Sequence, residues 1–100
     1  MAITLEKALA ILRANEPDLR AKGVLHAAIF GSVARGEALA ESDVDIMVDI
    51  DPGRRIGLFD FLRIKHDLED LLQVKVDLAQ AKALGRFIKE QAISEKVDAF

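Results

Sequence analysis

A chain of 100 residues has room for one core and one shallow site, because a domain of this size buries only about two-thirds of its unfolded surface, and no separate substrate-binding domain is expected. With 51% apolar and 31% charged residues it is a globular sequence, and a formal net charge of −3 disfavours direct nucleic-acid binding. The absence of cysteine excludes disulfides and thiolate zinc sites, and no apolar run approaches the ~20 residues of a membrane span, so the expectation is one domain over residues 1–100 of a cytoplasmic protein.

Taken in chain order, Leu5, Ala8, Leu9 and Leu12 fall at i, i+3, i+4 and i+7, which predicts an amphipathic helix from Thr4, its N-cap, to about Ala21. Pro17 either ends that helix or opens a second turn. Residues 24–31 form an apolar run containing His26, read as structural, and the run hands over at Gly31 to Ser32-Val33-Ala34-Arg35 as a strand feeds the first turn of a helix. Glycine admits a ligand close to the backbone, and free helix N–H groups suit phosphate; the competing reading is an ordinary turn with Ser32 as its cap. Arg35 either reaches phosphate through its forked guanidinium or pairs with an acidic neighbour and braces the loop.

The strand predicted at residues 43–50 alternates. Val44, Ile46, Val48 and Ile50 share one face, and Asp43, Asp45 and Asp49 the other. Two carboxylates about 6 Å apart repel by about 3 kcal/mol at an effective dielectric near 20, a cost that a bound cation reverses. A solvated acidic face remains the plainer alternative. Ser42 reads as a turn former before this strand.

Asp51-Pro52-Gly53 signals a turn, followed by the paired Arg54-Arg55, either a solvated loop or, if it folds over the acidic face, a contact for phosphate or an acidic partner. Phe61, Ile64, Leu68, Leu71 and Leu72 then define a core helix that joins two strands as a crossover. In the strand at residues 74–79, Val74, Val76 and Leu78 face the core while Asp77 faces out, beside Asp43 and Asp45 if the two strands are neighbours. Leu84, Phe87, Ile88, Ala92 and Val97 predict a closing helix within residues 81–99. The sum is an α/β domain: a small mixed sheet of three strands with helices on one face.

Gly31-Ser32, Arg35-Gly36-Glu37 and Ser42-Asp43-Val44-Asp45 together resemble the signature of the DNA polymerase β nucleotidyltransferase superfamily, in its minimal nucleotidyltransferase (MNT) branch. Gln73 stands where members of the family often carry glycine. The resemblance implies the polymerase β-like fold, with Asp43 and Asp45 binding Mg²⁺, two ions in all, and Asp77 completing the cluster and helping to activate the attacking hydroxyl. It implies that Gly31 and Ser32, with Arg35, hold the nucleotide. MNT proteins of this kind are commonly antitoxins paired with a HEPN toxin, which some inactivate by transferring AMP from ATP to a toxin tyrosine, and a hetero-oligomer follows from that pairing. A non-catalytic antitoxin or regulatory partner that inhibits by complex formation is the alternative. Nucleotidyl transfer to a small molecule, of the aminoglycoside-modifying kind, suits a chain without a second domain less well.

Overall fold

The structure is a computed structural model that describes residues 3–39 and 43–100, with the side chains of 86–89 left aside. The turn expected at Ser42 lies outside the described residues.

Helix α1 (Leu5–Ala14) starts where Thr4 Oγ1 accepts the Lys7 N–H at 3.2 Å, and its buried stripe is Ala8, Leu9 and Leu12. The expected single helix breaks at Asn15, which ends α1 and begins α2 (Glu16–Ala21) with Pro17 in its first turn. Proline lacks the N–H that a continuing helix needs but is suited to a first turn, so Pro17 opens a second helix. The remaining elements are β1 (Val24–Phe30), α3 (Gly31–Ala34), β2 (Val44–Ile50), α4 (Leu58–Leu72), β3 (Val76–Gln80), a 3₁₀ turn (Ala81–Ala83), α5 (Arg86–Glu95) and β4 (Val97–Asp98).

The sheet runs β3-β2-β1-β4, with β1 antiparallel to both β2 and β4 and β2 parallel to β3. Alternation decides the buried face. Val44, Ile46 and Val48 of β2, Val76 and Leu78 of β3, and Ala27 and Ile29 of β1 form one cluster with α1, Leu19 of α2 and Ile64, Leu68 and Leu72 of α4. The opposite face presents Asp45 and Asp77, and α5 packs at its β1 side, against β1 and α3.

Two expectations for the C-terminal segment are corrected. The helix begins at Arg86, after a 3₁₀ turn and with Gly85 as its N-cap, and Val97 belongs to a fourth strand instead of the helical stripe. Lys96 turns extended, Val97 pairs with Ile29, and the Ala99 N–H donates to the Ala27 carbonyl at 2.9 Å, so that Ala99 is buried against the sheet. A two-residue strand carries too short an alternation to compete with a helical period that its neighbours already satisfy.

At the end of α4, Gln73 occupies the left-handed region with φ 58° and ψ 34°. Glycine is the usual residue there because it has no Cβ to strain, so the glutamine carries a conformational cost that glycine avoids. Its N–H still closes the helix onto the Glu69 carbonyl at 2.8 Å. The Glu69 side chain then accepts the Val76 N–H at 3.1 Å, which fixes the start of β3 next to Asp77. Among the described residues no helix is long and apolar enough to cross a membrane.

Candidate active site

The β2–β3 register places Asp45 directly opposite Asp77. Phe30 lies opposite Asp45 on the other side of β2, so Gly31, the next residue, turns beneath the Asp45 carboxylate. The fit leaves no room for a side chain. A Cβ on Gly31 would overlap Asp45 Oδ2 and stand 3.0 Å from its Cγ, and the backbone there has φ +72°, a conformation that L side chains rarely adopt. Glycine at position 31 is therefore required twice, by the left-handed turn that starts α3 and by the carboxylate that lies on it.

Asp45 is half-buried, whereas Asp43, one residue ahead of β2, and Asp77 are exposed. The Asp45 carboxyl titrates above its ordinary range, first because burial disfavours its charge, then because the Asp77 and Asp43 charges repel it; Arg35 opposes the rise, and a hydrogen bond with Asp77 adds to it. Like charges crowded around a partly buried carboxylate make a place where a cation would be welcome. Among the described residues no three acidic or histidine side chains close into a ready cation cage. The assembled unit is the Asp45–Asp77 pair, with Asp43 near enough for its charge to be felt at Asp45. An all-carboxylate donor set on a partly solvated face fits a hard divalent ion such as Mg²⁺, which keeps several of its waters.

Ser32 is the second residue of α3, whose N-cap is Phe30, a residue with no side-chain acceptor to cap the first-turn N–H groups. Arg35 takes up the bracing arrangement in this structure: its Nε donates to Glu37 at 3.0 Å and its Nη1 to Glu95 at 2.9 Å, tying the end of α3 to α5. Arg35, Phe30 and Gly31 also line a cleft of about 180 Å³ with Gln91, Ala92 and Glu95. Glu95 is the residue that sequence reasoning missed. It lies 60 positions from Arg35, and no local pattern announces the pairing. His26 is exposed at the far end of β1, opposite Asp49, away from the carboxylate pair. The loop carrying Arg54 and Arg55 also lies at that far end, beyond Ile50, and does not fold over Asp45.

Residues 5–99 match the family model of the nucleotidyltransferase domain. The chain is 38% identical over 96 residues to a protein adenylyltransferase, MntA, of Thermococcus cleftensis, covering 95% of each chain. A solved structure provisionally described as a minimal nucleotidyltransferase superposes with a TM-score of 0.80 at 37% identity, over 95% of both chains. A chain from the complex of tri-AMPylated HEPN toxin with MNT antitoxin of Shewanella oneidensis shares the fold at TM-score 0.65 and 16% identity, over 92% of this chain and 71% of its own. The protein belongs to the nucleotidyltransferase domain family, in its minimal nucleotidyltransferase branch. The nucleotidyltransferase fold that the resemblance implied is the fold observed.

Proposed function

We propose that this protein transfers AMP from ATP to a tyrosine of a partner HEPN toxin and thereby neutralises it. The observation that carries the reading is Asp45 held in register with Asp77 and pressed onto Gly31, a constellation in a family whose relative at 38% identity is named a protein adenylyltransferase. The acceptor tyrosine is on another chain, because this one contains no tyrosine.

In this proposal Asp43, Asp45 and Asp77 hold Mg²⁺, which supplies neutralisation of charge on the phosphates and on the leaving pyrophosphate. Gly31 lets the triphosphate approach the backbone, and the first-turn N–H groups of α3 with the Ser32 hydroxyl orient it. The acceptor phenol oxygen forms a bond to the α-phosphorus as the bond from that phosphorus to the pyrophosphate oxygen breaks. The phenol proton passes to a carboxylate oxygen of Asp77, the exposed member of the pair. Arg35, held by Glu37 and Glu95, keeps the turn beneath the carboxylates in place and lies beside the phosphate path.

The test is to incubate the protein with a candidate HEPN toxin partner, ATP and MgCl₂, and to map modified residues by mass spectrometry. AMP on a HEPN tyrosine is the expected result, abolished by Asp45→Asn. Inhibition of the toxin without any added nucleotide, retained by Asp45→Asn, would establish the non-catalytic antitoxin instead.

A further inference from the structure

The arginine pair after the 51–53 turn is a basic motif that the carboxylate site does not use. Its loop is pinned at the opposite end of the sheet, where the Asp51 N–H donates to the Gly23 carbonyl at 2.8 Å and Arg54 Nη1 to the Ala21 carbonyl at 2.6 Å. Loop, α2 and α4 together border a cleft of about 480 Å³. Four cations line it together with the carboxylates of Asp60, which accepts the Gly57 N–H, and Asp67, and the cations are not equivalent. Lys22 is held between Asp18 at 2.8 Å and Asp67 at 2.7 Å, and Arg54 is engaged with Ala21. Arg55 and Arg63 are exposed and make no hydrogen bond or ion pair among the described residues.

The same end of α4 leaves large apolar side chains in water: Leu58 is 69% exposed, Phe59 84% and Leu62 38%. Helical spacing sets Leu58 with Leu62 and Phe59 with Arg63, each pair one turn apart, so an apolar ridge adjoins a mixed ridge that borders the cleft. A core helix ordinarily keeps polar residues on its outer face, and this one does so along its later turns but not here.

We infer that the N-terminal end of α4, with the Arg55–Arg63 cleft, is a docking surface for a protein partner that presents carboxylates next to an apolar side chain. Charge complementarity selects this occupant. Two guanidiniums without partners match carboxylates in bidentate geometry, and exposed aromatic and arginine side chains are the residue types that anchor interfaces. Nucleic acid would satisfy the arginines and leave Leu58, Phe59 and Leu62 in water. The 15 residues of α4 span about 22 Å, so a partner gripped here leaves the Asp45–Asp77 face open for the residue to be modified. Naming that partner as the acceptor chain rests on the proposed function.

The experiment titrates the intact protein with the candidate HEPN toxin partner, measuring Kd by calorimetry and AMP transfer by intact mass in parallel. Three variants are compared with wild type: Phe59→Ser with Leu58→Ser, Arg55→Glu with Arg63→Glu, and Asp45→Asn. Leu58, Phe59, Arg55 and Arg63 are exposed, so unchanged melting temperatures are expected for the two surface variants; Arg55→Gln with Arg63→Gln replaces the charge reversal if that variant does not fold. The two surface variants are expected to raise Kd at least tenfold, while Asp45→Asn binds as wild type does but transfers nothing. If wild type modifies the HEPN protein and the surface variants bind it with unchanged Kd, the docking surface is overturned and the transfer reading stands. If wild type neither binds nor modifies it, the transfer reading fails and the partner assignment with it. If the surface variants alter only self-association in sedimentation, the surface pairs two copies of this chain and the inference is overturned.

Discussion

The two faces of β2 contrast within seven residues. On the inner face Val44, Ile46 and Val48 are buried in the main core, each surrounded by apolar side chains of the helices and neighbouring strands. On the outer face Asp45 is half-buried beside two like charges, and the residue beneath it has been stripped to glycine to make room. The inner face stabilises the fold. At Asp45 the outer face works against it, although Met47 further along that face is buried, and a carboxylate placed against its own electrostatics is a mark of functional sites.

The largest break in this contrast is expected from the inner face. Ile46→Ala removes a fully buried side chain and should cost about 2–5 kcal/mol, read as a lower midpoint in urea with the slope unchanged. Gly31→Ala comes next. The left-handed backbone alone costs about 1–2 kcal/mol, and the new methyl displaces the Asp45 carboxylate, so transfer should fall far more than stability does. A variant that keeps wild-type transfer would show that the close approach at Gly31 is a packing detail.

Two smaller effects sharpen the comparison by going the other way. Gln73→Gly relaxes the left-handed end of α4 and should stabilise the protein by up to about 1 kcal/mol in thermal unfolding, with transfer unchanged. Asp45→Asn should also stabilise the metal-free protein, by less than about 1 kcal/mol once solvent screening of a partly exposed group is allowed for. The sign follows from linkage. The folded state holds the Asp45 proton to higher pH than the unfolded chain, whose carboxyl has the ordinary value of 3.8, so stability falls as pH rises through that window. The variant's advantage is therefore present at neutral pH and disappears below about pH 3.8.

Much of this contrast is legible in the sequence. The alternation around Asp43-Val44-Asp45 is local, and so are the strand-to-glycine handover at Gly31 and the stripe of α4, because each depends on a period that a few residues display. That Asp77 stands opposite Asp45 is legible only as a condition, since the register of two parallel strands is set by how the crossover helix packs. The Arg35–Glu95 pair, the left-handed Gln73 and the two-residue β4 are not legible. The first depends on tertiary proximity, the second on a conformation glutamine rarely takes, and the third on backbone pairing that imposes almost no side-chain pattern.

The most direct measurement is the thermal unfolding of wild type and Asp45→Asn at neutral pH, each with and without Mg²⁺-ATP. A ligand that binds only the folded state raises its melting temperature, and it does so through the groups that hold it. The account predicts that wild type starts lower than Asp45→Asn and rises clearly with Mg²⁺-ATP, while the variant starts higher and shifts little. Equal shifts in the two proteins would contradict it, because Mg²⁺-ATP would then be bound without the carboxylate that the outer face of β2 is built to present.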